Sequence, residues 1–299
     1  MYLKALFELY QTSLGFSNPF ISKLIRFSLL ISSNIIFRFF VKPSNFNNKI
    51  RERKIIISVT TFPDRIKYFP IVFKSLTNQK LKANKIILWL SKDQFPTEDY
   101  IPLNVRELQK YGLEIRICEN DLGSHKKYFY AFQEFPNDLI ITVDDDFIYH
   151  PNVVKLLVET YNLCKPKTLV ALRTLSIPEN TKADYLKWGI NYQSSFHAEN
   201  IFFTSGGGTL FKPSDFDTLL YDKKTFLSLC PKADDIWLNL NAKFSSIKIA
   251  MPQIKELSIP ILIVNNIELS ESNLFQNGNN IQLTNTLSFF ESTYNRVLL

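Results

Sequence analysis

The chain has 299 residues, of which 45% are hydrophobic and 21% are charged, so its composition excludes a disordered, collagen-like or low-complexity protein. Its three cysteines, Cys118, Cys164 and Cys230, lack the paired spacing of a disulfide framework or a zinc knuckle. The net charge is +7, and six of these charges fall within residues 1–53, where eight Lys and Arg residues accompany two Glu residues. Because the remaining body is almost neutral, this pattern disfavours a nucleic-acid partner and favours contact between the N-terminal segment and an anionic membrane surface.

The N-terminal segment, residues 1–50, is predicted to be a basic amphipathic helical arm. Residues 20–41 are rich in Phe, Ile and Leu, but Lys23, Arg26 and Arg38 interrupt them, and their longest uncharged run has 11 residues. A membrane span needs about 20 apolar residues, and no small-residue cleavage site of a signal peptide follows. We therefore predict that the arm lies on a membrane surface, with its charged side chains reaching the head groups. The alternative is a helical hairpin packed on the domain or on a partner chain.

A polar break rich in Pro and Asn, residues 42–48, predicts a linker between the arm and a folded domain that occupies residues 51–299. Within this domain, short apolar runs of β-branched residues alternate with segments of helical spacing. The predicted strands are Lys54–Val59, Lys85–Leu90, Leu113–Cys118 and Leu139–Val143, and the predicted helices are Arg65–Gln79, Tyr100–Tyr111, Lys126–Phe135 and Asn152–Asn162. The alternation predicts an α/β domain with βαβ units and a mostly parallel central sheet flanked by helices.

The C-terminal part of the sequence is less regular. Residues 257–267 are apolar and β-rich, whereas residues 268–283 are mostly polar around Gly278. The polar stretch is compatible with a loop that orders over an active site when a ligand binds.

Three consecutive carboxylates, Asp144, Asp145 and Asp146, follow the fourth predicted strand. Open α/β sheets bind ligands beyond the carboxyl ends of their strands, and adjacent carboxylates repel one another unless solvent or a cation neutralises them. On an extended backbone Asp144 and Asp146 point the same way, and their oxygens suit Mn²⁺ or Mg²⁺, which often shares its shell with substrate phosphates. We predict that Asp144 and Asp146 bind such a metal, and the alternative is an acidic solvent-exposed turn.

Four separated segments share a pattern with a known family. They are residues 57–66 (ISVTTFPDRI), 121–127 (DLGSHKK), 140–146 (IITVDDD), and 205–208 (SGGG) followed by 233–237 (ADDIW). In their order and spacing they resemble GT-A glycosyltransferases of bacterial surface-polysaccharide pathways, such as capsule and lipopolysaccharide biosynthesis, and are similar to the family 2-type enzymes. The resemblance implies a Rossmann-like GT-A fold that transfers a sugar from a nucleotide diphosphate.

The resemblance places the nucleotide at the turn after the first strand, on Thr60, Thr61 and Arg65. It also implies that Lys126 or Lys127 reaches the pyrophosphate from the start of a helix. Lysine is unfavourable there against the helix dipole, and an anionic ligand would explain its presence. The alternatives are a solvated arginine at a helix start and a solvated lysine pair.

The same resemblance assigns Asp121 to the base, and Asp144 and Asp145 to the nucleotide sugar. Gly206 and Gly207 belong to a segment that uses three of the eight glycines in the chain, and glycine lets a backbone approach a ligand closely. In GT-A enzymes a small-residue segment here lines the cleft for the donor sugar and the acceptor. The alternative is a tight turn between strands.

Asp234 and Asp235 precede a predicted helix, and a carboxylate at this point is the general base in inverting GT-A enzymes. Such a base removes the acceptor hydroxyl proton while that oxygen attacks the anomeric carbon. We predict that Asp235 is the base and take Asp234 as the second candidate. The alternative role of an Asp in this position is to cap the helix.

The resemblance, together with these residues, implies a metal-assisted, inverting glycosyltransferase of the hexosyltransferase type. A UDP-sugar is the default donor, and the acceptor is a glycan or lipid-linked hydroxyl. The arm implies a cytoplasmic protein that associates peripherally with the inner face of the cell membrane. Two other classes stay open: a metal-dependent phosphotransferase or hydrolase that uses the Asp cluster, and an inactive membrane-associated scaffold of polysaccharide assembly.

Overall fold

A computed structural model of the chain describes residues 2–13, 18–45, 50–179, 184–191, 195–198, 200–252, 258–263 and 278–299. The strands are β1 (Ile55–Thr60), β2 (Lys85–Ser91), β3 (Leu113–Cys118), β4 (Leu139–Val143), β5 (Phe147–Tyr149), β6 (Thr168–Ala171), β7 (Thr174–Ser176), β8 (Gly189–Asn191), β9 (Ser195–Ala198), β10 (Ile201–Phe203), β11 (Gly207–Phe211), β12 (Lys248–Met251) and β13 (Ser258–Pro260). The helices are α1 (Tyr2–Thr12), α2 (Pro19–Ile35), α3 (Pro63–Ile66), α4 (Phe69–Thr77), α5 (Leu103–Arg106), α6 (Lys126–Glu134), α7 (Val153–Leu163), α8 (Lys223–Leu229), α9 (Asp234–Phe244) and α10 (Gly278–Tyr294). A π-helical turn, Ile36–Phe40, continues α2.

Eight of these strands form one central sheet in the order β3-β2-β1-β4-β11-β6-β12-β9. β1 pairs in parallel with β2 and with β4, β2 with β3, and β6 with β12. β11 runs antiparallel between β4 and β6, and β9 antiparallel beside β12. The described residues also form two small sheets, β10-β7-β8 and β13-β5. The prediction of a mostly parallel sheet flanked by helices is confirmed.

The four predicted strands are present to within one residue at each end, whereas two predicted helices differ because of prolines. The helix predicted from Arg65 to Gln79 is split into α3 and α4. Pro70 lacks an N–H, and in a continuous helix its ring would meet the carbonyl of Ile66. The helix predicted from Tyr100 starts as α5 after Pro102 and continues as a 3₁₀ helix to Tyr111, before Gly112 with φ 91°.

The central sheet has a buried core on each side, because successive residues of a strand point to opposite faces. On the first side, Ile55, Ile57 and Val59 of β1 belong to a cluster that includes buried residues of α4 and α7. On the second side, Ile56 and Ile140 belong to a cluster with buried residues of α6 and α9. Covering both faces requires the nearly continuous apolar runs of these strands.

The N-terminal arm is helical, as predicted, and it packs on the first side of the domain. Phe7 and Phe37 are buried in the first core. The side chain of Asn34 donates to the Pro260 carbonyl at 3.1 Å and accepts from the Leu262 N–H at 2.9 Å. This is the packing that the hairpin alternative requires, and contact with a membrane stays a prediction. Of the predicted linker, residues 42–45 have no regular secondary structure and residues 46–48 lie outside the described part of the chain.

The polar stretch 268–283, whose sequence is compatible with a loop over an active site, is only partly described. Residues 268–277 lie outside the described residues, so a lid there is untested. Residues 278–283 are not loop, because they form the start of α10. Leu283 and Phe290 of this helix are buried in the second core, and tertiary packing of this kind decides helix formation more than polar composition does.

Candidate active site

Three predicted motifs meet where β1 and β4 end and β11 begins: the turn after β1, the three aspartates after β4 and the glycine segment before β11. β1 and β4 are parallel neighbours, so the turns that follow them, at Thr61 and Asp144, leave the sheet side by side. β11 begins at Gly207 opposite Val143, the last residue of β4, and the Asp144 N–H donates to the Gly206 carbonyl at 3.1 Å. Ligands bind α/β proteins at such strand ends.

Gly206 lies directly against the Asp144 carboxylate. A Cβ at residue 206 would overlap this carboxylate, so any other residue type would displace it. Tyr149 fixes the same contact, since its hydroxyl donates to the Gly206 carbonyl at 2.7 Å and accepts from the Asp144 N–H at 2.8 Å. At Gly207 a Cβ would come within 2.5 Å of the Arg173 Cβ, so this segment approaches its neighbours closely at two successive residues.

Arg65, Thr61, Asp145 and Asp146 form a network between the turn after β1 and the end of β4. The Arg65 guanidinium donates to Asp145 at 3.2 Å and to Asp146 at 2.9 Å, and the Thr61 hydroxyl donates to the other oxygen of Asp145. Burial raises the pKa of Asp145, and the Arg65 cation and the Thr61 hydroxyl partly offset this. Asp145 is 6% exposed, so its carboxylate holds the two turns together rather than facing solvent.

Lys127 lies between the two acidic motifs. Its ammonium is 2.8 Å from Asp144 Oδ1 and 3.2 Å from Asp234 Oδ2, and its side chain is 5% exposed. Burial lowers the pKa of Lys127, but the carboxylates of Asp144, Asp234 and Asp235 raise it to a value above that of a free lysine. Lys127 therefore carries a positive charge that joins the end of β4 to the start of α9.

Lys126, the other predicted pyrophosphate contact, points to a different partner. It pairs with Asp121, whose Oδ2 accepts from the Gln94 amide at 2.8 Å. The Thr60 hydroxyl donates to the Trp89 carbonyl at 2.8 Å, on the neighbouring strand β2. Of these predicted nucleotide contacts, Thr60 ends β1, Asp121 follows β3 and Lys126 begins α6, while Lys127 belongs to the carboxylate cluster at β4.

Asp234 and Asp235 occupy the first turn of α9, and both bind Ser205. The Ser205 hydroxyl donates to Asp234 at 2.7 Å, and the Ser205 N–H donates to Asp235 at 2.7 Å. The capping role considered for these residues is wrong, because the N-cap residue is Ala233, which has no polar side chain. Both carboxylates instead face the segment that leads into β11.

The two carboxyl groups of this pair differ in pKa. Burial and the neighbouring Asp234 charge raise the pKa of Asp235 to about 7. Burial acts to raise the pKa of Asp234 as well. The Lys127 cation and the hydrogen bond from the Ser205 hydroxyl act in the opposite direction and dominate, so the pKa of Asp234 lies below its usual value. At neutral pH Asp234 is a carboxylate, and Asp235 is poised between its two protonation states.

Asp144 and Asp146 fit a divalent cation that takes the rest of its coordination shell from phosphate oxygens and water. Asp146 Oδ1 is a buried carboxylate oxygen without a hydrogen-bond partner among the described residues. Burial and the charges of Asp144 and Asp145 raise the pKa of Asp146 to about 7, so a cation at this oxygen would stabilise its charged form. The described residues contain no group of three or more His, Cys, Asp or Glu side chains arranged as metal ligands.

Two residues of this site are not among the predicted ones. Ser205 orients both carboxylates of α9, and its position directly before three glycines was the available signal. Tyr149 orients Asp144 and Gly206 from β5, and no local motif marks it.

The comparisons with known proteins identify the fold. No protein-family model matches the sequence, and no curated protein matches it. Residues 1–349 of S. aureus TarS, in complex with UDP-GlcNAc, have a similar structure with a TM-score of 0.50 and 12% identity, covering 73% of this chain. The chain spans 60% of the length of that structure. The mannosyltransferase PcManGT from Pyrobaculum calidifontis, in complex with GDP-Man and Mn²⁺, has a TM-score of 0.47 and 11% identity, covering 92% of this chain and 72% of that one. At this identity the likeness to TarS establishes the GT-A-like fold that the sequence predicts.

Proposed function

We propose that the chain is a glycosyltransferase that moves a sugar from a nucleotide-diphosphate sugar to an acceptor hydroxyl. The observation that supports this is Lys127, a buried cation between a strand-end carboxylate, Asp144, and a helix carboxylate, Asp234. A departing diphosphate requires cations and an attacking hydroxyl requires a base, and both kinds of group meet at this edge of the sheet. The fold likeness to TarS, which was determined with UDP-GlcNAc, makes a UDP-sugar the first donor to test.

On the donor side, Lys127 would stabilise the negative charge that develops on the diphosphate as its bond to the anomeric carbon breaks. Asp144 and Asp146 would hold Mn²⁺ or Mg²⁺, which supplies Lewis-acid stabilisation of the same charge when bound. Arg65 and Asp145 keep the two turns in place, so that the groups around the diphosphate are preorganised. Thr60 at the end of β1 and Asp121 after β3 would contact the nucleoside, and Lys126 at the start of α6 would approach the diphosphate.

On the acceptor side, Asp235 would accept the hydroxyl proton while the acceptor oxygen attacks the anomeric carbon. Its pKa of about 7 suits a general base at neutral pH, where efficiency is highest when the pKa is close to the pH. Attack on the face opposite the leaving diphosphate makes the reaction a single displacement, and the product has the inverted configuration. The acceptor in this proposal is a glycan or lipid-linked hydroxyl of a surface-polysaccharide pathway.

The test is calorimetric titration of the full chain with UDP, GDP and CDP, each with and without Mn²⁺. We expect one nucleotide to bind in a metal-dependent way, and Asp146→Asn to abolish the metal dependence. Glu159→Gln is the matched control, since Glu159 is 58% exposed on α7 and pairs only with Lys155 among the described residues. Binding of no nucleotide by folded protein would favour the scaffold, and phosphate release from the donor without an acceptor would favour the hydrolase.

A further inference from the structure

The outward side of the N-terminal arm is apolar and uncovered. Phe20, Leu24 and Phe27 of α2 are 74%, 57% and 56% exposed, and Phe39 and Phe40 of the π-helical turn are 69% and 75% exposed. The spacing of the first three residues, four and then three positions, places them on one helix face. We name these five residues the arm face. Single exposed apolar residues are ordinary, but a row of large ones marks a surface that meets a partner or a membrane.

The inward side of the arm is already used by the domain, so the arm face cannot turn inward. Asn34 is bonded to the strand β13 region, as described above, and the Lys74 ammonium donates to the carbonyls of Phe37 and Arg38, both at 2.8 Å. Phe7 of α1 packs edge-on against His150 with 5.0 Å between ring centroids. These contacts orient the arm face away from the first core.

The two exposed serine hydroxyls described on α2, those of Ser28 and Ser32, both have partners within the helix. The Ser28 hydroxyl donates to the Leu24 carbonyl at 3.0 Å, and the Ser32 hydroxyl donates to the Ser28 carbonyl at 2.7 Å. A polar group that enters an apolar medium is costly unless it has a hydrogen-bond partner, and these two have one within the helix. The exposed charged side chains of α2 and the π-helical turn, Lys23 and Arg38, are both cationic.

We propose that the arm face docks in the plane of an anionic phospholipid surface. Burial of large apolar side chains provides the affinity, and the positive charge of residues 1–53 provides attraction to anionic head groups. That same charge would repel a second copy of the chain, which argues against a dimer through this face. Pro19–Phe40 is long and apolar enough to cross a membrane by length and composition. Its inner side is bound to the domain through Asn34, however, so the helix lies along the protein and in the plane of the surface.

A short series of hydrogen bonds connects the arm to the candidate active site. Asn34 holds the backbone on both sides of Ile261, and the Ile261 N–H donates to the Asp146 carbonyl at 2.8 Å. β13 also pairs with β5, the strand that directly follows Asp146. Docking therefore fixes the position of the carboxylate motif relative to the membrane. If the proposed glycosyl transfer holds, this arrangement selects a lipid-linked acceptor over a soluble one.

The test is co-sedimentation of the full chain with vesicles of phosphatidylcholine alone and of phosphatidylcholine with phosphatidylglycerol. We expect binding to the anionic vesicles, weakened by salt, and weaker by about tenfold or more in Phe20→Ser/Phe27→Ser, because two large apolar side chains no longer enter the acyl boundary. Leu103→Ser/Leu163→Ser is the matched control, since these side chains are 64% and 77% exposed elsewhere, and its binding should equal that of the wild type.

Three outcomes would overturn the proposal. One is wild-type protein that stays in the supernatant with every vesicle. Another is protein that resists an alkaline carbonate wash, which would indicate a span instead of in-plane docking. The third is a wild-type dimer in light scattering that Phe20→Ser/Phe27→Ser converts to a monomer without changing vesicle binding. Vesicle binding needs no donor or acceptor, so its result is independent of the proposed catalytic activity.

Discussion

The two acidic motifs of the site place similar groups in different surroundings. In the strand motif, Asp144 to Asp146, burial and neighbouring charges raise the pKa of Asp146 to about 7. In the helix motif, Asp234 and Asp235 at the start of α9, burial and the charge of Asp234 raise the pKa of Asp235 to a similar value. Asp146 lies against the Arg65 cation and keeps one buried oxygen without a partner among the described residues. Asp235 instead accepts a hydrogen bond from a neutral backbone N–H at the first turn of a helix.

The difference shows that the surroundings of a carboxyl group, and not its pKa alone, determine what it can do. Strand-end carboxylates gathered around a buried, unpartnered oxygen are suited to share a cation. A carboxyl group held by a neutral donor can gain and lose a proton without breaking an ion pair. Lys127 pairs with one carboxylate of each motif, Asp144 and Asp234, and makes no ion pair with Asp146 or Asp235.

Removing Lys127 should have the largest effect, because it breaks the link between the motifs. In Lys127→Met three carboxylates lose a buried cation, and we expect kcat/KM to fall by about 10³-fold or more. Loss of one partner of a buried ion pair should also lower the free energy of unfolding by about 3–5 kcal/mol, measured by urea denaturation. Lys155→Met is the control, since Lys155 is 48% exposed in an ordinary helix pair. Folded Lys127→Met with near-normal kcat/KM would contradict the assigned role.

Replacing each carboxyl group of the helix motif by an amide should distinguish the role of Asp235 from that of Asp234. In Asp235→Asn the amide oxygen still accepts from the Ser205 N–H, but no base is left, so kcat should fall by about 10²–10⁴-fold with donor affinity unchanged. Asp234→Asn should weaken donor binding as well, because it changes the charge around Lys127. Single-turnover rates and calorimetric donor titrations measure the two effects. The reverse result, with Asp235→Asn active and Asp234→Asn inactive in the chemical step, would make Asp234 the base.

The sequence predicts the parallel half of the sheet well, because short apolar runs such as Leu139–Val143 are buried on both faces and signal strands locally. It does not predict α10, whose helical state depends on Leu283 and Phe290 meeting a distant core. It also misses the break between α3 and α4, although Pro70 marks it.

The candidate site follows the same division. The sequence marks Asp144, Asp146 and Asp235 as candidates because each belongs to a short motif that follows or begins an element, and the structure brings the two motifs together around Lys127. The resemblance assigns Asp145 to the nucleotide sugar, yet the Asp145 carboxylate accepts hydrogen bonds from Thr61 and Arg65 within the protein. Arg65 and Thr61 lie 80 and 84 positions from Asp145, so no local sequence pattern reveals this pairing. Tyr149 likewise acts through a contact with Gly206, 57 residues away.

Gly206→Ala should disturb the strand motif without changing its charge. The added Cβ would displace the Asp144 carboxylate and weaken its contact with Lys127, and a shift of about 1 Å in a catalytic group can cost about 10²-fold in rate. We expect kcat/KM to fall by about 10–10²-fold with a smaller change in thermal stability. Gly189→Ala is the matched control, since a Cβ there meets nothing within 4 Å. Equal activity of the two variants would show that the position of Asp144 does not matter for the reaction.

The smallest effect should be on the pH dependence of stability, and it isolates the raised pKa of Asp235. This carboxyl group has a pKa of about 7 in the folded protein and about 4 in the unfolded chain, so the folded state binds more protons between these values. Its contribution to the free energy of unfolding therefore falls as pH rises from about 4 to about 7. Asn carries no charge at any pH, so the Tm of Asp235→Asn should exceed that of the wild type by a few degrees at pH 8 and by less at pH 5. Among the described residues, the charged or titratable groups that interact with Asp235 are Asp234, Lys127 and Tyr185, and the substitution retains all three. A Tm difference that does not change between pH 5 and pH 8 would mean that the Asp235 carboxyl group does not titrate in this range, and its assignment as a base poised at neutral pH would then fail.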